Sequence, residues 1–222
     1  MRAREIMSTP VLAVTSQWPV QDAVRLMLDN HVSGLPVVDD GRLVGIITEA
    51  DILFKEAEPR PAQPLVDWHG SSLWLERRVS AYRKAEGRTV GEVMTQNVIT
   101  ADERVPVREL ASRMLRHEIN RLPIVRGHEV VGIVTRADIL KVFLRGDEKL
   151  EAEAQRIAME FIQPLEEVQT SVKRGVLVLR GHVASPTRRE TLLRELRAID
   201  GLTAIDDDEL AFSNLEYAIG GD

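Results

Sequence analysis

The sequence predicts an α+β protein: two copies of a β-α-β-β-α unit related by a pseudo-two-fold axis, then a small αββαβ domain. Three observations predict it. Met7–Leu53 aligns without a gap on Met94–Leu140 at a constant offset of 87 residues. Identical pairs include Met7/Met94, Pro19/Pro106, Met27/Met114, Leu35/Leu122 and Pro36/Pro123, and both copies end alike, in GIITEADIL and GIVTRADIL. Within each copy the apolar spacing alternates between strand and helix periods. Beyond Asp147 the pattern changes to one helix, a hairpin, a helix and a strand.

Taken in order, the first copy opens with an apolar strand at Val11–Val14. Val20, Ala23, Val24, Met27 and Leu28 then follow helical spacing, and Val107, Leu110, Ala111, Met114 and Leu115 repeat it. Leu35–Val38, a turn at Asp39-Asp40-Gly41 and Leu43–Thr48 form a hairpin pattern, with a last helix opening near Thr48. Neither copy has much apolar surface to bury alone, so the two are expected to pack on each other.

These patterns divide the chain into a first motif at 1–56, an insertion at 57–90, a second motif at 91–146, a third domain at 147–217 and a tail at 218–222. The insertion begins with loop around Pro59, Pro61 and Pro64. Leu73, Trp74, Leu75, Val79 and Tyr82 then give a helix with one apolar face. In the third domain, Leu150, Ala154, Ile157, Ala158 and Phe161 mark a helix ended by Pro164. Val168–Val172 and Val176–Leu179 form a hairpin through Lys173-Arg174-Gly175. Thr187–Ile199 is the second helix. Leu202–Phe212 holds the last strand, with Asp206-Asp207-Asp208 as a solvated edge.

Composition narrows the function. The chain has 222 residues, a net charge of −6 and no cysteine, which excludes disulfides and thiolate chemistry. Residues 1–146 carry 20 basic and 19 acidic side chains, whereas 147–222 carry 9 and 16. So acidic a C-terminal domain is a poor partner for nucleic acid or anionic lipid. No apolar run reaches the roughly 18 residues of a membrane span, and the opening MRAREIMSTP has no apolar leader, so a cytoplasmic protein is expected. No metal site is expected either, since none of the five histidines forms His-x-x-x-His. No nucleophile motif or phosphate loop is present, so no catalytic residue is assigned and the chain reads as a non-enzyme.

The chemistry concentrates in Gly45-Ile46-Ile47-Thr48-Glu49-Ala50-Asp51 and its repeat Gly132–Asp138. A helix N-terminus attracts phosphate, a threonine hydroxyl there can donate to it, and a carboxylate one turn on can accept from ribose hydroxyls. Glycine lets a ligand or a neighbouring backbone approach closely. The same Thr-x-x-Asp spacing is also a helix capping pattern. Its recurrence in one register favours a ligand.

On these residues, with the Ile6-Met7 and Val93-Met94 openings and the Leu35-Pro36-Val37-Val38 and Leu122-Pro123-Ile124-Val125 strands, residues 6–54 and 93–143 resemble a pair of CBS motifs. The resemblance implies regulatory binding of an adenine nucleotide (AMP, ADP or ATP), no catalytic cofactor, and a homodimer through the CBS helices. Carried over, one site comprises Thr9, Val11, Ser33, Gly34, Leu35, Pro36, Thr48 and Asp51. The other comprises Asn97, Val98, Asn120, Arg121, Leu122, Pro123, Thr135, Arg136 and Asp138. Arg121 and Arg136 stand where the first site has Gly34 and Glu49, so the second is expected to favour more phosphorylated ligands. The alternative is that Arg136 points to solvent or pairs with a carboxylate such as Glu103.

Residues 148–215 resemble a BON domain on Gly175–Val183, Arg188 and Gly201-Leu202. The resemblance implies an interaction module, and the local acidity argues against phospholipid. The expectation is a cytoplasmic sensor relaying nucleotide binding to a BON-like output and an unknown downstream protein. The alternative is a BON-mediated membrane or protein interaction module with the CBS pair as a dimerisation scaffold.

Overall fold

The computed structural model describes residues 1–56, 87–163 and 166–212. The helix expected around Leu73–Tyr82, Pro164 and the tail 218–222 lie outside the described residues. In chain order the elements are α1 (Ala3–Ile6), α2 (Val20–Asp29), β1 (Gly34–Asp39), β2 (Arg42–Thr48), α3 (Glu49–Glu56), α4 (Val90–Val93), β3 (Ala101–Asp102) and α5 (Val107–Arg116). Then come β4 (Arg121–Arg126), β5 (Glu129–Thr135), α6 (Arg136–Lys141), a 3-10 turn at Val142–Leu144, α7 (Asp147–Phe161), β6 (Glu167–Lys173), β7 (Val176–Val183), α8 (Pro186–Leu196) and β8 (Ala204–Phe212).

The chain divides into two compact units that cut across the repeats. One holds Met7–Val105 and Arg121–Val134. The other holds Met1–Ile6, Pro106–Asn120 and the chain from Thr135 onward.

In the Met7–Val105 unit, β1 and β2 pair antiparallel, Gly34 opposite Thr48. Their turn, Asp40-Gly41, has φ of 49° and 75°. Two positive φ values match the twist of a hairpin, which glycine adopts without a Cβ penalty. The stripe on α2 faces inward as expected at Val20, Ala23 and Met27, which pack with Val14, Leu35, Val37, Ile47, Val90 and Val93. Leu28, at the edge of the stripe, is exposed.

The expected strand at Val11–Val14 does not form. Val14 alone bridges Val37: its N–H donates to Pro36 O at 3.1 Å, and Val38 N–H donates to Val14 O at 2.8 Å. Two residues back, the next bond of a parallel ladder would need an N–H on Pro36, and proline has none. In the second copy Pro123 stands at the same place, and β3 is only two residues long, pairing with Ile124 and Val125.

The two copies complete each other. Ser8 pairs with Ile133, and Thr95 pairs with Ile46, two bridges related by the 87-residue offset. Each opening segment therefore extends the hairpin of the other copy. The glycines that begin the repeated motif are explained by the same exchange. A Cβ on Gly45 would overlap the Met94 sulfur and lie 2.9 Å from Met94 Cγ; on Gly132 it would overlap the Met7 sulfur and lie 2.7 Å from Met7 Cγ. The close approach expected at Gly45 is thus made by a methionine side chain of the opposite copy.

In the other unit, α5 buries Val107, Leu110 and Met114. The helix–strand–strand–helix–strand order expected after Asp147 is present. β6 and β7 are antiparallel through Arg174-Gly175, at φ 53° and 77°, and β8 joins β7 in parallel. Leu150, Ala154 and Ala158 of α7, Leu177 and Leu179 of β7, and Leu192, Leu193 and Leu196 of α8 form its core. Glu166 anchors α8 by accepting from Arg188 Nε at 2.6 Å and from the Ala184 N–H at 2.8 Å. Those bonds, that from Arg188 foremost, lower the Glu166 carboxyl from its usual 4.5 to about 2. In the acidic run at the edge of the sheet, Asp206 and Asp208 are exposed, while Asp207 is partly buried and pairs with Arg189 at 2.7 Å.

Candidate functional site

The first set of expected residues lies wholly within the Met7–Val105 unit, and most of it converges where β2 runs into α3. Gly34 faces Thr48 across the hairpin, and the Ser33 carbonyl accepts from Glu49 N–H at 3.1 Å. The loop before β1 is thereby fixed to the start of α3. Thr48 donates twice to Asp51 Oδ2, from its N–H at 2.9 Å and from Oγ1 at 2.8 Å. Asp51 is only 7% exposed. Leu35 and Pro36 are buried behind the loop, whereas Ser33 is exposed. Thr9 and Val11 sit on irregular chain, and among the described residues no hydrogen bond joins them to this group.

Two side chains reach this place from the second copy. Thr95 Oγ1 donates to Asp51 Oδ1 at 3.2 Å. Sequence reasoning missed Thr95, although its offset partner is Ser8, so a hydroxyl recurs there. The other is Arg121. The resemblance assigned it to the second set, yet its Nη2 donates to Ser33 Oγ at 2.7 Å. A Cβ on Gly34 would overlap Arg121 Nη1 and lie 3.0 Å from Cζ. The reason is positional: Gly34 and Arg121 are equivalent first residues of β1 and β4, and the absent side chain on one leaves room for the long one on the other. Burial lowers the Arg121 pKa, while the charges of Glu49 and Asp51 act to raise it.

The remaining residues of the second set fall in both units. Leu122 and Pro123 are buried in β4, and Asn97 and Val98 lie on the irregular chain before β3. In the other unit, Thr135 and Asp138 form a reciprocal cap. The Thr135 N–H donates to Asp138 Oδ2 at 2.9 Å, and Asp138 N–H donates to Thr135 Oγ1 at 3.3 Å. Lys141, also missed, donates to Asp138 Oδ1 at 2.8 Å. Burial pushes the Asp138 carboxyl up, but Lys141 and Thr135 outweigh it and hold the group below its ordinary value. Arg136 N–H donates to Asn120 O and its Nε donates to Ile119 O. Glu103, the alternative partner weighed for Arg136, instead binds Arg126 at 2.7 Å.

A duplicated α+β unit whose copies finish each other's hairpins, each ending in a Thr-x-x-Asp helix start, defines a tandem-repeat module. The chain belongs to the CBS domain family, whose profile matches residues 3–58 and 90–145, half of the chain. It is 30% identical over 155 residues to the uncharacterized protein MJ1426 of Methanocaldococcus jannaschii, covering 65% of this chain and 92% of that one. It is 32% identical over 142 residues to L-aspartate semialdehyde sulfurtransferase of the same organism. That match covers 63% of this chain but only 23% of the sulfurtransferase, so the chain spans under a quarter of that relative. Among solved structures, CBSX2 in complex with AMP is similar at a TM-score of 0.56 and 26% identity, covering 64% of this chain and 96% of that one. Among the described residues no helix is long and apolar enough to cross a membrane.

Proposed function

We propose that this protein is a cytoplasmic, non-catalytic regulator that binds an adenine nucleotide through its CBS repeats. The observation that carries this reading is the group at the start of α3. Thr48, Asp51 and the Ser33 loop are tied together there by hydrogen bonds, with a buried guanidinium beside them. A carboxylate so placed can take ribose hydroxyls, and a helix start and a cation suit phosphate. CBSX2, similar over the repeats, was crystallised with AMP. The site comprises Thr9, Val11, Ser33, Gly34, Leu35, Pro36, Thr48 and Asp51. In the other copy Thr135 and Asp138 repeat the Thr48–Asp51 arrangement at the start of α6.

The αββαβ region is the output, a BON-like domain that passes the ligand state to a downstream protein. A ligand can drive such a relay only by binding two states of the protein unequally. A homodimer through the CBS helices fits the exposed leucines at equivalent positions: Leu28 and Leu53 in one unit, Leu115 and Leu140 in the other.

Calorimetric titration with AMP, ADP, ATP and adenosine tests the reading. Micromolar binding, about −8 kcal/mol, is expected, and Asp51→Ala should abolish it at the first site while the protein stays folded. No heat from any of the four, with no thermal shift, would refute the sensor. Binding unchanged in Asp51→Ala would reduce Thr-x-x-Asp to a helix cap.

A further inference from the structure

We propose that Arg145 and the Asp200-Gly201 loop form the joint through which helix α6 of the second repeat acts on the αββαβ region. The inference rests on the relay reading above and adds where the relay passes.

The path starts at the cap of α6, where Thr135 and Asp138 bind each other and Lys141 Nζ donates to Asp138 Oδ1 at 2.8 Å. This cap is the second repeat's copy of the Thr48–Asp51 arrangement. The helix has six residues, fewer than two turns at about 3.6 per turn. Lys141 is its last residue. Lys141 and Val142 both keep right-handed helical angles, so the chain runs on without a break into the 3-10 turn Val142–Leu144. A change at the cap has only this short, continuous segment to cross before it reaches Val142.

At Val142 the second repeat meets the αββαβ region. Val142 is buried, and its carbonyl oxygen lies against Gly201 in the loop between α8 and β8. A Cβ on Gly201 would stand 2.6 Å from that oxygen, and φ there is 102°, so the contact requires glycine twice over. Arg145 closes the joint. Its Nη1 donates to the Asp200 carbonyl, and its Nη2 donates to Glu153 Oε2 of α7 at 2.7 Å. The planar fork of one guanidinium thereby fixes the end of the turn to two segments of the αββαβ region. The Asp200 carboxylate pairs with the Met1 amino group, and Met1 O accepts from Val107 N–H at the start of α5. Both helices of the second repeat thus reach this loop. Leu150, Leu196 and Ile199 beside it belong to the buried core of the region. A displacement of Val142 is therefore delivered to close-packed side chains, which transmit strain rather than absorb it.

The test reads amide hydrogen exchange along the full chain. The N–H groups of Arg197, Ala198, Ile199 and Thr203 are hydrogen-bonded on either side of the loop and report its opening. The β6–β7 ladder is the internal control. Thr135→Ala loosens α6 at its cap. It should speed exchange at the four amides by about two- to thirtyfold, the range that residues along a coupled path contribute, and change the ladder less. In an Arg145→Gln background the same substitution should leave the four amides unmoved, the non-additivity expected of coupled residues. Saturating AMP should also shift the four amides in wild type. Arg145→Gln should bind AMP equally well and lose that shift, since Arg145 belongs to neither set of site residues. Arg145 is partly buried, so Glu153→Gln, which releases one arm of the guanidinium, is measured beside it. Circular dichroism and thermal melting check that each variant is folded. An equal response to Thr135→Ala with and without Arg145, or with and without Glu153 should Arg145→Gln not fold, overturns the joint. A response no larger than that of the ladder overturns it as well. AMP that fails to bind, or binds without moving these amides, overturns the relay reading; Thr135→Ala, which needs no ligand, then decides the joint by itself.

Discussion

Replacing Gly45 by alanine tests the exchange between repeats. The backbone at Gly45 has no positive φ, so alanine is conformationally acceptable, and in open surroundings the change would stabilise by about 0.4–1 kcal/mol through the unfolded chain. The new methyl group, however, would overlap the Met94 sulfur and stand 2.9 Å from Met94 Cγ and 3.1 Å from Thr95 O. Overpacking of this kind costs about 1–3 kcal/mol. Gly45→Ala should therefore lower stability in urea unfolding by about that amount. In a Met94→Ala background the side-chain clash is gone, and the same substitution should cost close to nothing. The double-mutant cycle then gives a coupling of about 1–3 kcal/mol between residues in different repeats. Gly132→Ala with Met7→Ala should mirror it. A cost for Gly45→Ala that does not depend on residue 94 would refute the account. Loss of nucleotide binding at unchanged stability would return the glycine to the ligand.

Other outcomes follow from the caps and ion pairs. Thr135→Ala removes the hydroxyl that caps α6 and should cost about 0.5–2 kcal/mol in chemical denaturation; no change would mean that Lys141 and Asp138 hold the helix start alone. The lowered carboxyl of Glu166 stabilises the fold fully above pH 4.5, and that stability is lost as pH falls through 4.5 to about 2. The amount is about 3 kcal/mol, and Glu166→Gln should flatten this part of the acid titration followed by circular dichroism. The same slope in the variant would assign the acid sensitivity to other carboxylates.

Much of this architecture was legible because it is encoded locally. Gly41 and Gly175 stand at turns that need positive φ, and the stripe Val20, Ala23, Met27 needs only helical spacing. The order of elements after Asp147 could likewise be read from periodicity. What escaped depends on the meeting of distant segments. The strand expected at Val11–Val14 has the right composition, but its partner β1 carries Pro36, and only the pairing reveals the missing donor. Gly45 announced a close approach without naming Met94. Arg121 is the clearest case. The offset makes it equivalent to Gly34 and so places it by analogy in the second set, yet equivalence says nothing about where a long side chain ends. Its length and the space beside Gly34 decide that. Thr95 was hidden for the same reason, although the Ser8/Thr95 pair carries the signal.

The reciprocal bridges also bear on how the chain is made. Ile46 cannot complete its pairing until residue 95 has left the ribosome, and Ser8 waits for residue 133. The first hairpin therefore emerges with an open edge and with a space beside Gly45 that its own repeat cannot fill. Contacts this far apart in sequence fold slowly, and open edges invite wrong partners. The opening segment of the second copy, or that of a neighbouring nascent chain, offers the methionine and the strand that fill it. Two chains that traded opening segments would satisfy every one of these contacts, so the duplication that builds this module also gives it a ready route to domain swapping.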